Sequence, residues 1–310
     1  MSAYFCELAS TGMIAFRGPD AGTFLHAQLT SDVAGLASPQ TQYSGYCSPK
    51  GRLLATLLLW HLGDDIRVQL PAILRDGIQS RLSKYILRSR VTAAEVNGHS
   101  ALFGIAGDDA RSAVAELAGD IPDALHGVVS RDGVCVTRLP IDRYLLAATA
   151  DRADATRAWL SERLLGQPEI SWSALDIEAG IPVITHETQE EFVPQMVNLD
   201  RIGGVSYSKG CYPGQEIVAR MHYLGRLKQR MYRVRVGEEA SPRTGDALYS
   251  AEFGPAQSSG TILNAAPAVG GGHEALAVIQ KSSAVTDTLR WKALDGPAIE
   301  FLSLPYALDT

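Results

Sequence analysis

From Leu53 to Trp60 the chain reads LLATLLLW, apolar at every position except Thr56, and the run is bounded by an SPKG turn before it and a GDD turn after it. A continuous apolar run of this length between turn signals predicts a long strand over Arg52 to His61 that is buried on both faces. Such a strand needs neighbours on either side, and Gln42 to Cys47 and Ile66 to Leu70 supply two more strand patterns. With 310 residues, 46% of them hydrophobic, the chain can bury a sizeable core and suits two or three compact units.

Strands and helices alternate around this hairpin. Met13 to Arg17 predicts a strand, GPD a turn, and Asp20 the N-cap of a helix that carries Phe24, Leu25 and Leu29 on one face. The same unit returns at Ala101 to Ala106, followed by a Gly107-Asp108 turn and a helix over Asp109 to Leu117. GPDA and GDDA therefore mark a weak internal repeat. A helix over Ile73 to Ile86, a strand over Arg90 to Val96, and a hairpin, strand and helix within Gly127 to Leu165 complete the region. After Arg226 the pattern changes to six short segments, MYRVRVG, DALYS, GTILNAA, GGGHEALAVIQ, LRWKAL and AIEFL, separated by Gly, Pro and Ser. These predict a small antiparallel β-barrel over residues 226–310, appended to an α+β region over residues 1–225 that divides further near 100–170.

The densest chemistry lies in KGCYPGQEIV, Lys209 to Val218. Gly210 and Gly214 allow tight backbone on either side of Cys211, and Pro213 suits a first helical position. The thiol is therefore expected at a loop-to-helix junction. There the dipole and Lys209 are expected to favour its thiolate. A free cysteine is more often a small buried hydrophobe, but Gly, Tyr, Pro, Gln and Glu around this one make no apolar stripe. Glu216 and Arg220, four apart, can pair along the helix or face a cleft. Arg226, Lys228 and Arg230 alternate, so a strand would project all three from one face, as a solvated edge or towards an acidic ligand or partner.

KGCYPGQEIVAR resembles the KGC(Y/F)xGQExxAR motif of the YgfZ family, folate-binding proteins tied to iron-sulfur protein maturation and related to the aminomethyltransferase (T-protein) of glycine cleavage. VPQMVNLDRIGGVSYS before the motif, FRGPDAGTFLHAQLTSDV and YCSPKGRLLATLLLW extend the resemblance, and LDIEAGIPVI is similar to a segment shared with the aminomethyltransferases. The resemblance covers most of residues 10 to 235. It implies an aminomethyltransferase-like folate-binding body with ferredoxin-like strand-helix units, a C-terminal β-barrel, and tetrahydrofolate or a derivative as ligand. Lys209, Gly210, Cys211, Tyr212, Gly214, Gln215, Glu216 and Arg220 match the family motif one by one. Against the T-protein pattern, Ala55 and Thr56 stand where an Asp-Asp pair is expected. Neither side chain can act as a carboxylate, and such assistance is commonly worth about 10² to 10⁴ in rate, so aminomethyl transfer is not expected.

Several classes are excluded or disfavoured by composition. The net charge of −6 argues against a broad nucleic-acid-binding surface, so any RNA link is expected to be indirect. No apolar run is long enough to span a bilayer, and MSAYFCELASTGM lacks a secretory pattern, so a cytoplasmic location is expected. Cys6, Cys47, Cys135 and Cys211 are scattered and expected to be reduced. The seven histidines, His26, His61, His99, His126, His186, His222 and His273, form no metal-binding pair, and one placed cysteine cannot hold an iron-sulfur cluster within a monomer. No intrinsic metal is expected. Nothing in the chain demands a second copy, and a monomer is expected.

As folate contacts, Gln195 and Asn198 offer amides, Glu178 an acceptor and Arg52, beside Lys50 in the SPKGR turn, a cation. Each also suits local turn chemistry. The leading reading is a tetrahydrofolate-binding accessory factor that serves iron-sulfur client or assembly proteins, including radical enzymes that modify tRNA. The alternatives are a folate-dependent one-carbon transferase and a thiol or persulfide exchanger using Cys211. For that thiol the residues leave open a transient cluster ligand, an exchange nucleophile and a redox-sensitive contact point.

Overall fold

A computed structural model describes residues 2–37, 39–96, 100–238, 240–286 and 288–308 of the chain. His99 lies outside the described residues. The chain forms two compact units, one of Met1–Ser44 and Leu57–Trp172, the other of Gly45–Thr56 and Ser173–Thr310. Residue 226 falls inside the second unit, between a helix at Gln215–Tyr223 and a strand at Gln229–Val236.

The long apolar run forms the strand Leu53–Leu62, buried from Leu53 to Trp60. Its sheet has the order Thr41–Cys47, Leu53–Leu62, Asp65–Pro71, Thr11–Arg17, Thr92–Glu95, so the run has a neighbour on each side. Because both faces are covered, it carries no in-out alternation, whereas Asp65–Pro71 alternates strictly. The chain from Gly45 to Thr56, the tip of this hairpin, belongs to the second unit.

The first unit's other sheet runs Leu165–Gly166, Tyr4–Glu7, Ser100–Ala106, Arg143–Thr149, Val134–Leu139, Val128–Arg131. All its pairings are antiparallel except the parallel one between Tyr4–Glu7 and Leu165–Gly166. Alternate residues Phe103 and Ile105, Val134 and Val136, and Tyr144, Leu146 and Ala148 build one core. Helix Ala110–Ala118 adds Ala110, Val114 and Ala118 at four-residue spacing, and helix Ala150–Arg163 adds Leu160. Each such large side chain is worth about 1.5–3 kcal/mol when fully buried.

The internal repeat is visible in the backbone. Gly18 and Gly107 have φ of 113° and 105°, and Asp20 and Asp109 follow with φ/ψ of −98°/5° and −98°/9° before buried Ala21 and Ala110. Asp20 holds the N-cap position, yet its side chain does not cap. Its carboxylate accepts the Arg90 backbone N–H at 2.7 Å and pairs with the Arg90 guanidinium at 3.3 Å. Those bonds hold the Asp20 carboxyl below its ordinary range.

In the second unit all six predicted C-terminal strands appear, in one curled antiparallel sheet ordered Arg290–Trp291, Ala247–Tyr249, Gly260–Pro267, His273–Gln280, Gln229–Val236, Ile299–Leu302. A single bridge, Arg290 to Ala298, lies near its two edges, so the sheet is a half-barrel and not a closed ladder. The register shifts between Ile262 and Asn264, and the Asn264 side chain bonds both the N–H and the carbonyl of Val183 at 2.9 and 2.8 Å. No helix among the described residues is long and apolar enough to cross a membrane.

Candidate functional site

The motif folds as a loop followed by the helix Gln215–Tyr223. Pro213 does not open that helix as expected. Gly214 is its N-cap at φ 80°, and Tyr212 to Gln215 form a turn closed by a 3.1 Å bond from the Gln215 N–H to the Tyr212 carbonyl. The glycine is forced twice over. Its φ lies in the left-handed region that disfavours a side chain, and a Cβ there would stand 2.5 Å from the Ser48 carbonyl oxygen and 2.6 Å from the Gly51 Cα. Gly51, at φ 69°, is equally closed, with Ile217 2.9 Å from where its Cβ would be. Two glycines more than 160 positions apart thus let the SPKG turn and the KGCYPGQE loop meet backbone to backbone.

The turn is itself anchored. The Ser48 N–H donates to the Arg52 carbonyl at 2.8 Å, and the Leu53 N–H donates to the Phe192 carbonyl at 2.8 Å. The Gln189 amide reaches the Leu54 carbonyl at 2.7 Å, and the Arg52 guanidinium donates to the Glu191 carbonyl. On the motif side, Gln215 Nε2 points back at the carbonyls of Lys209 and Gly210, at 3.5 and 3.4 Å, and ties off the loop that carries Cys211. Tyr212 is buried beneath, with Lys209 Nζ 4.9 Å from its ring centroid. Burial, and after it the neighbouring Cys47 and Tyr207, push the Tyr212 hydroxyl well above the ordinary phenol range. Cys211 alone of the four cysteines is exposed.

Glu216 and Arg220 are both exposed, and no ion pair joins them among the described residues. Arg226, Lys228 and Arg230 do not share a strand face either, because the strand begins only at Gln229. Arg226 and Lys228 are exposed, whereas Arg230 is buried and makes a two-pronged pair with Asp200, at 2.8 and 3.0 Å. Its Nη1 also donates to the Gln195 carbonyl at 2.6 Å and to Asn198 Oδ1 at 3.3 Å. The expected solvated edge is, at this position, the centre of a polar core.

Gln195 and Asn198 belong to that core. Gln195 Nε2 donates to the Val218 carbonyl on the motif helix at 2.7 Å, and Asn198 Nδ2 donates to the Met231 carbonyl at 2.8 Å. Asn198 sits at φ 58°, closing a short helix at Pro194–Val197. Tyr306 donates to the Gly180 carbonyl at 2.7 Å, and burial pushes its hydroxyl up to about 12. Tyr207 is likewise pushed up to about 12 by burial. Its hydroxyl lies near Gln195, but at no ordinary hydrogen-bond geometry, and Gln195 Oε1 is buried without a partner. These two amides are spent on holding the motif helix and strand in place and have no free polar atom facing solvent. Of the four folate candidates, Glu178 is exposed at the end of its helix and Arg52 is half-buried.

Ala55 is fully buried, and Thr56 Oγ1 accepts the Ile184 N–H at 3.2 Å. No carboxylate stands at either position. Sequence reasoning did not anticipate the Asp200–Arg230 pair or the ring of Tyr207 lying on His222, 3.7 Å between centroids and 12° from parallel. Neither has a spacing signature, since their partners lie 30 and 15 positions apart.

Residues 1–126 match the GCVT N-terminal domain family. The chain is 32% identical over 293 residues to the tRNA-modifying protein YgfZ of Pectobacterium carotovorum, covering 94% of this chain and 88% of that protein. It is also 32% identical over 309 residues to the tRNA-modifying protein YgfZ of Photorhabdus laumondii, covering 98% and 92%. Among solved structures, the glycine cleavage system aminomethyltransferase T from Bartonella henselae superposes with a TM-score of 0.75 at 17% identity, covering 98% of this chain and 86% of that one. The fold is that of the aminomethyltransferases.

Proposed function

The chain belongs to the YgfZ family, and from that membership and the geometry of the loop we propose that it is a tetrahydrofolate-binding accessory factor supporting assembly or repair of iron-sulfur proteins, including radical enzymes that modify tRNA. The observation that carries this reading is the presentation of Cys211. Two glycines, a buried tyrosine and the Gln215 amide hold its loop against the SPKG turn, and the thiol itself is left in solvent. A thiol used only for packing would be inside, as Cys6, Cys47 and Cys135 are. A solvent-facing thiol on a braced loop can meet a sulfur or iron centre that belongs to another protein.

The folate half of the proposal is supported by the aminomethyltransferase fold and the GCVT N-terminal match. Glu178 and Arg52 are the candidate contacts whose charges remain reachable. The Gln195 and Asn198 amide nitrogens hold the motif helix and the strand at Met231, which leaves Gln195 Oε1, buried without a partner, as the acceptor of that pair. The absence of a carboxylate at Ala55 and Thr56 favours a bound ligand over a transferred one-carbon unit.

Calorimetry of tetrahydrofolate and its formyl, methylene and methyl forms against wild type and Cys211→Ala tests the reading, with the ligand recovered afterwards. Binding retained in Cys211→Ala with unaltered ligand, together with loss of support for an iron-sulfur client, is the expected result. Conversion of a one-carbon adduct would replace the accessory role by a transferase. No folate binding in either protein would remove the folate half.

A further inference from the structure

The segment that carries Cys211 is locally basic. From Lys209 to Lys228 it has Lys209, Arg220, Arg226 and Lys228 against a single acid, Glu216, a local charge of +3 in a chain of −6. Arg220, Arg226 and Lys228 are exposed. A helix dipole favours cations only within the last turn, by about 0.3–1 kcal/mol. Arg226 and Lys228 lie beyond the end of the helix at Tyr223, so the dipole does not account for them.

Aromatic rings are interleaved with these charges. His222 lies flat on Tyr207, and Tyr223 stands edge-on to His222 at 4.7 Å and 75°. The inner end of this stack is anchored, since Tyr207 is half-buried, while the outer end is open. Tyr223 is 65% exposed and Leu224 83%, although both sit where the helix could have presented polar groups. Near-parallel rings at 3.7 Å are the spacing at which a nucleobase continues a stack, and cations beside them are what the flanking phosphates require.

We propose that the C-terminal end of the motif helix is a docking surface for single-stranded RNA. An unpaired base extends the Tyr207–His222 stack against Tyr223, and the neighbouring phosphates meet Arg220, Arg226 and Lys228. The surface would bring an RNA strand to the same helix whose first turn follows Cys211. The proposal takes up the tRNA-linked part of the function above and is independent of folate binding.

Fluorescence anisotropy with a labelled oligoadenylate of about ten nucleotides, the length one such platform and its flanks span, is the test. Wild type should bind at about 50 mM salt and weaken as salt rises. Tyr223→Ala and His222→Ala should each lose at least about fivefold in affinity, the lower end of the value of one stacked base, whereas His222→Phe should retain binding. Arg226→Gln and Lys228→Gln should each flatten the slope of log affinity against log salt by about 0.7. Unchanged melting and unchanged tetrahydrofolate calorimetry in these surface variants would separate this surface from the folate reading. Three results would overturn the proposal: no saturable RNA binding, aromatic variants that bind as wild type does, or displacement of RNA by an acidic peptide with only the Arg and Lys variants affected. The last would assign the surface to an acidic protein partner.

Discussion

Replacing Gly214 by alanine tests whether contact between the SPKG turn and the KGCYPGQE loop holds the loop in place. Two costs are expected. The left-handed backbone, φ 80°, costs a non-glycine residue about 1 kcal/mol. The new methyl would also stand 2.5–2.6 Å from the Ser48 oxygen and the Gly51 backbone, none of it the flexible end of a side chain. Overpacking of that kind costs about 1–3 kcal/mol, so the sum is about 2–4 kcal/mol. Gly203 provides the matched control, because it has φ 78° in the same unit but nothing within 4 Å of its Cβ position. Gly203→Ala should cost only the first part, about 1 kcal/mol. In a unit of about 150 residues, the Gly214 variant should melt about 5–15 °C lower. Urea denaturation of both variants, with the alkylation rate of Cys211 measured alongside, separates backbone strain from packing. Equal losses of stability in the two variants, with Cys211 alkylated at the wild-type rate in both, would refute the idea that the paired glycines brace the loop.

Three further outcomes follow from other parts of the molecule. Asp200→Asn should destabilise the second unit by about 3–5 kcal/mol in urea titration, because Arg230 would be left buried without its counter-charge, and adding Arg230→Met should recover part of that loss. Burial lowers the His126 pKa from 6.5, so the unfolded chain binds the proton first; its contribution to stability is complete above pH 6.5 and drains away as pH falls below it. Melting across about pH 5 to 8 should show that slope in wild type and a shallower one in His126→Gln. A disulfide reagent should titrate one thiol in the native protein and four after denaturation, and Cys211→Ala should abolish the native one.

Where the sequence was legible, the signal was local. The run from Leu53 to Trp60 needed only its own hydrophobicity to be read as a buried strand, and the six C-terminal strands were marked by their turns. The repeated GPDA and GDDA turns were readable because glycine at positive φ followed by aspartate is a short-range requirement. Errors arose where distant residues decide. Asp20 was expected to cap its helix, but Arg90, 70 positions away, takes its carboxylate. Pro213 was expected to begin a helix, but Gly214, packed against Gly51 and left-handed at φ 80°, is the N-cap and the helix starts at Gln215. Gln195 and Asn198 carry atoms suited to a ligand, and only the positions of Val218 and Met231 show that their amide nitrogens also brace the motif helix and the next strand.

Arg230 shows how the same limit reaches function. Arg226, Lys228 and Arg230 have identical spacing and similar chemistry, so no pattern in the sequence distinguishes them. The strand's beginning at Gln229 and the acid at Asp200 split the set into one structural arginine and two exposed cations. With Arg230 neutralised, Arg226 and Lys228 follow the end of the motif helix, which itself carries exposed Arg220 and Tyr223. A net charge of −6 spread over 310 residues sets no limit on such a surface, because salt screens charges beyond about 8 Å at physiological ionic strength. Arg220, Arg226 and Lys228 are the exposed cations nearest Tyr223 along the chain, and on the proposal above removing those three charges, with the chain's total made only more negative, is the change that should abolish RNA binding.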